Sequence, residues 1–169
     1  SDRKANQLLF RQWNVSTALY AEQQGLPTGP TRQAFKLFEW LPLFRARLQQ
    51  QVAFISGANE QFIDPLMKSL VASIVDGIRD GEEALWSQAG ALPRDAVVLL
   101  ALDLRWIREA AFQFGWLDAK LSKTLEACIQ RALLEHCAAK GLKDPSMILP
   151  KPEWFKDTLA PHLKQLSKQ

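Results

Sequence analysis

The sequence predicts an all-α fold. No stretch alternates apolar and polar residues with a period of two over four or more positions, while apolar residues recur at helical spacing along almost the whole chain. Glycine and proline clusters cut that pattern into helix-sized pieces. The 169 residues make about one domain, and nearly half are apolar, so a real core is available. The expectation is a single-domain bundle of about six to eight helices, the last long pair antiparallel.

The first helix is expected from about Arg3 to Gln24, with Leu8, Leu9, Trp13, Leu19 and Tyr20 as its apolar positions. Gly25, Pro27, Gly29 and Pro30 end it. A second helix runs from about Thr31 to Phe54, carrying Phe35, Phe38, Trp40, Phe44 and Phe54, and Pro42 kinks it or splits it at Leu41. Ser56 to Gln61 reads as a loop. Asp64 then stands as a cap before Pro65 at the first helical position. Leu66, Met67, Leu70, Val71, Ile74, Val75 and Ile78 follow as the clearest amphipathic helix. It loosens near Gly77 and Gly81, and Trp86 lies in the next turn.

Gly90 and Pro93 precede the most unusual helix, residues 93–114, which would run roughly 30 Å. It is apolar nearly all the way round from Ala96 to Leu102, a pattern that asks for burial on more than one side. Asp103 interrupts it. Leu99, Leu100, Trp106 and Ile107 lie one turn away, so the carboxylate points where the apolar groups point. The helix therefore demands more apolar surface than a small bundle supplies, and a polar or cationic partner for Asp103.

Gly115 to Asp118 is a short connection with Asp118 as an N-cap. The next helix reaches about Ala139, with Leu121, Leu125, Cys128, Ile129, Ala132 and Leu133 on one face, and must lie antiparallel to its predecessor. Gly141 closes it, Asp144 to Pro150 is a linker, and Pro152 opens a terminal helix with Trp154, Phe155, Leu159 and Leu163, bent at Pro161. Residues 1–139 thus read as one helical body, and residues 140–169 as a linker and short helix packed on it.

The net charge of +3 is mild, and Asp144, Glu153 and Asp157 interrupt the C-terminal lysines. A nucleic-acid surface would be denser and richer in arginine, so no DNA binding by this chain is expected. No apolar run reaches the roughly 18–20 residues that cross a bilayer, and the first residues do not read as a signal peptide. Cys128 and Cys137 lie about 13–14 Å apart along one helix, too far for a disulfide. Free thiols fit a reducing compartment, and the expected location is the cytoplasm.

No enzyme chemistry and no cofactor are expected. His136 and Cys137 are adjacent and so point about 100° apart on a helix, which suits neither a metal site nor a cysteine–histidine nucleophile. His162 lies in another helix. The acidic stretch from Asp76 to Glu83 lacks the alternating ligands of a calcium loop, and Thr28 to Thr31 lacks the phosphate-loop pattern. Ala21 to Gly25 is a weak helix-turn-helix turn, opposed by Pro27 and Pro30. The aromatics are more informative. Trp40, Phe44, Phe54, Trp86, Trp106 and Phe112 come from more than one helix and form a candidate apolar pocket, with Asp103, Arg105 and Arg108 as its polar groups.

Three stretches carry a family resemblance: Phe62 to Leu70, Asp95 to Glu109, and Gly115 to His136. Together they resemble the C-terminal effector-binding and dimerisation domain of TetR-family transcriptional regulators. The resemblance covers roughly Leu8 to Ala138; the family's three-helix DNA-binding head has no counterpart here, and the tail from Lys140 exceeds the usual pattern. It implies a regulatory domain that senses a small apolar ligand and forms a homodimer. The ligand set is then Trp40, Phe44, Phe54, Trp86, Asp103 and Trp106, and the dimer interface Leu100, Leu104, Ile107, Leu121, Leu125 and Ile129. The alternative is an α-helical adaptor or assembly subunit that binds a partner protein and no small ligand. A closed aromatic void favours the sensor, and a solid core the adaptor.

Overall fold

The structure, a computed structural model, describes residues 20–81 and 89–168. Most of the expected first helix and Trp86 lie outside them. Among the described residues every regular element is helical, and there are five α-helices. They are α1 (Arg32–Gln51), α2 (Asp64–Gly81), α3 (Arg94–Gln113), α4 (Ala119–Lys140) and α5 (Trp154–Leu166). The expected six to eight are not reached within these residues, partly because Pro42, expected to kink or split the second helix, stays inside α1. Pro161 lies inside α5.

Local sequence explains most of the boundaries. Thr31 caps α1, its Oγ1 accepting the Ala34 N–H at 3.3 Å. Asp118 caps α4 in the same way, accepting from Leu121 N–H at 2.8 Å. Gly115 and Gly141, with φ of 77° and 68°, adopt the left-handed conformation that closes α3 and α4. Beyond each, Trp116 N–H reaches Ala111 O and Leu142 N–H reaches Cys137 O, both at 2.9 Å. Asp64 departs from expectation. A wide helical turn over Asn59–Ile63 runs straight into α2, so Asp64 has helical φ and ψ of −62° and −44° and is not a cap. Its carboxylate meets Arg45 of α1 at 3.6 Å instead.

Helix α3 is the axis of the bundle. Every residue from Ala96 to Leu104 is buried, and α3 packs against α1, α4 and α5. The short connection over residues 114–118 brings Arg105 and Arg108 of α3 beside Glu126 of α4, the register of an antiparallel pair. The six expected interface residues, Leu100, Leu104, Ile107, Leu121, Leu125 and Ile129, are all buried within one chain. The apolar surface that α3 demands is therefore supplied by its own chain, each large aliphatic contributing roughly 1.5–3 kcal/mol. The C-terminal segment supplies part of it: Ile148 and Leu159 are fully buried. Arg94 Nε donates to Ile148 O at 2.8 Å, and Gln113 Nε2 donates to Leu163 O at 3.1 Å.

Candidate functional site

Asp103 is fully buried, as its place on α3 predicts, and its partners come from the segment that leads into α1. Tyr20 Oη donates to Oδ2 at 2.5 Å, and Thr31 Oγ1 donates to the same oxygen at 2.7 Å. Thr31 N–H donates to Oδ1 at 2.7 Å. The carboxylate thus sits at the N-terminus of α1, where the helix dipole favours a negative charge. Burial nevertheless wins over these hydrogen bonds and pushes the Asp103 carboxyl up to about 6. One turn further along α3, Trp106 donates its indole N–H to Ala34 O at 2.8 Å. Two side chains of α3 therefore clamp the first turn of α1.

Of the expected ligand residues, Trp86 lies outside the described residues, and Trp40, Phe44 and Phe54 do not gather with Asp103 and Trp106. Trp106 is fully buried, stacked on Phe35 at 5.3 Å and edge-on to Phe38 at 6.2 Å. Phe38 continues to Phe114 at 6.3 Å, and Phe114 to Trp116 at 4.7 Å. These rings fill the space between α1 and the end of α3 with one another. Trp40 and Phe44 stack at 5.3 Å on a different face of α1, where Trp40 is 44% exposed. Phe54 is 85% exposed, and Phe112 also faces outward. Arg105 and Arg108 bind Glu109 and Glu126 on a partly exposed seam between α3 and α4, away from the Asp103 partners.

The sequence signal for Asp103 was its phase on an apolar helix. Thr31 also carried a signal, as a hydroxyl residue following Pro30 at a helix start. What pattern reading missed was that the cap and the buried acid belong together. The ring chain from Phe35 to Trp116 was equally hidden, since it joins residues far apart in sequence.

His136 is the other buried polar side chain among the described residues. Burial, with Lys140 nearby, holds its imidazole below the ordinary histidine value, and the carbonyls of Ala89 and Leu92 partly oppose this. No three His, Cys, Asp or Glu side chains come together as a metal site requires, among the described residues. No described helix is long and apolar enough to cross a membrane.

Among the described residues, the outward faces of α4 and α1 are patterned. On α4, Ala127, Gln130, Arg131, Leu134, Glu135 and Ala138 line an open groove of about 540 Å³, with Leu134 53% exposed. On α1, Trp40 and Leu43 are exposed between the exposed cations Lys36 and Arg47. No protein-family model, curated protein or solved structure matches the chain.

Proposed function

We propose that this chain is a helical assembly module that self-associates through the outer face of α4, and not a small-molecule sensor. The observation that carries the reading is the self-complementarity of that face. Ala127, Arg131, Leu134 and Ala138 are exposed and follow one another at spacings of four, three and four, the seam of a helix pair. The six groove residues are also symmetric about the midpoint between Ala132 and Leu133. Position 127 mirrors 138, position 130 mirrors 135, and position 131 mirrors 134. An antiparallel copy related by a two-fold axis through that midpoint sets Ala127 against the second copy's Ala138. It covers Leu134 with the stem of the second copy's Arg131.

Charge supports the same register. Arg131 and Glu135 lie one turn apart on α4 and make no ion pair among the described residues. In the two-fold arrangement each arginine meets the other copy's glutamate on the same flank, which gives two reciprocal pairs. One helix pair is smaller than a standard interface, so dissociation in the micromolar range is expected.

The ligand-sensing regulator reading lacks a comparable support. The carboxylate oxygens it would use are held by Tyr20 and Thr31, and its largest ring is packed into the core. Native mass spectrometry at rising protein concentration tests the proposal. It expects a growing dimer peak at twice the chain mass with no added small molecule, and a monomer for Leu134→Asp at unchanged helicity. A co-purified apolar ligand, or a chain that stays monomeric, contradicts it.

A further inference from the structure

The outer face of α1 has the same spacing with a different chemistry. Lys36, Trp40, Leu43 and Arg47 are exposed and follow at four, three and four residues. At about 100° per residue they fall within an arc of about 60°, so they form one ridge along the helix. Two large apolar side chains occupy its middle, and a cation stands one turn beyond them at each end. Phe44 stacks on Trp40 with ring planes 9° apart, which fixes the indole before any partner arrives.

Neither Lys36 nor Arg47 makes an ion pair among the described residues. Arg45, on the opposite flank of the same helix, does pair, with Asp64. Arg32 adds a further exposed positive charge one turn before Lys36, and Glu39 is the one exposed acid beside the ridge. The face is therefore basic at its ends and apolar at its centre.

We infer that this ridge docks an acidic amphipathic helix of a partner protein, with apolar residues at three- and four-residue spacing seated on Trp40 and Leu43 and carboxylates reaching Lys36 and Arg47. The spacing fits a helix, because a helix is what presents side chains in that rhythm. The charge selects acidic partners, because a basic segment would place like charges together. A centrally placed tryptophan within a polar rim is the usual anchor of such contacts. A lipid surface fits less well, because Glu39 lies beside the ridge and the cations are few. The inference extends the assembly reading by naming a client, but it rests on a different helix and stands or falls separately.

The test uses the full chain and a labelled synthetic peptide that forms an acidic amphipathic helix of leucines flanked by glutamates, read by fluorescence anisotropy. A second peptide carries lysine for every glutamate. Binding of the acidic peptide is expected, weakened about tenfold or more by Trp40→Ser or Leu43→Ser. Lys36→Glu combined with Arg47→Glu is expected to transfer the preference to the basic peptide. All these positions are exposed, and unchanged thermal unfolding of each variant shows that the fold is intact. The inference is overturned if neither peptide binds, if both bind the parent chain equally, or if the variants bind as the parent does. It is also overturned if Trp40-dependent binding is found only to vesicles rich in phosphatidylserine. Leu134→Asp, on α4, is expected to leave peptide binding unchanged.

Discussion

At the scale of single residues, Asp103 shows how a costly group becomes a positioning device. Its donors lie 83 and 72 residues away in sequence, at Tyr20 and Thr31. The need for partners was legible from helical phase, but no local pattern identifies partners so distant. Because burial raises the Asp103 carboxyl to about 6, the folded chain holds this proton more tightly than the unfolded one. Its contribution is fully present below the ordinary aspartate value and is lost as pH rises through about 6. The span corresponds to about 3 kcal/mol. His136 acts in the opposite sense. Its lowered value favours stability above the ordinary histidine range, and acidification removes it. The clean measurement is therefore the difference in unfolding free energy between the parent and Asp103→Asn. That difference should change by about 2 kcal/mol between pH 4 and pH 6, with the parent losing ground as pH rises. A difference independent of pH would show that Asp103 does not titrate in this window.

At the scale of elements, the sequence predicted where helices begin and end better than what they touch. The caps at Thr31 and Asp118 and the closing glycines 115 and 141 act locally, so composition reveals them. The continuity of α1 through Pro42 does not follow from local rules, since proline removes one hydrogen bond but packing holds both halves. The all-round apolarity of α3 demands burial on more than one side. In the fold α1, α4 and α5 meet that demand. Two substitutions on α4 separate these roles. Leu125, fully buried, should cost at least about 3 kcal/mol when changed to aspartate and should lower the melting temperature sharply. Leu134→Asp, on the outer face, should leave the melting temperature nearly unchanged. Equal melting losses for the two would place both in the core. The docking of α5 is open to a similar check. A Cβ at Gly29 would overlap His162 Nε2, the atom that donates to Thr28 O at 3.0 Å. Gly29→Ala should therefore displace the His162 ring, break that bond and cost about 1 kcal/mol, with faster amide exchange in α5. Unaltered exchange in α5 would show that this contact does not hold the helix.

At the scale of the whole molecule, the described residues form a helical bundle around α3 with patterned faces on α1 and α4 turned outward. The all-α class and the closing helix pair were legible because periodicity and connection length determine them. The outward faces were not, because exposure depends on which side of each helix the rest of the chain covers. The family resemblance implies a ligand set that includes Trp40 and a dimer interface on α3 and α4. The fold leaves Trp40 exposed, buries those six interface residues within one chain and turns Leu134 outward. The central claim is that α4 pairs with itself in one antiparallel register, with Arg131 of each copy against Glu135 of the other. Sedimentation of two charge-reversed variants, alone and mixed, tests this most directly. Arg131→Glu alone places acid against acid, and Glu135→Arg alone places base against base, so each should sediment as a monomer. Mixed in equal amounts they restore both pairs and should sediment as a dimer. A mixture that remains monomeric, or single variants that dimerise as the parent does, would contradict the account.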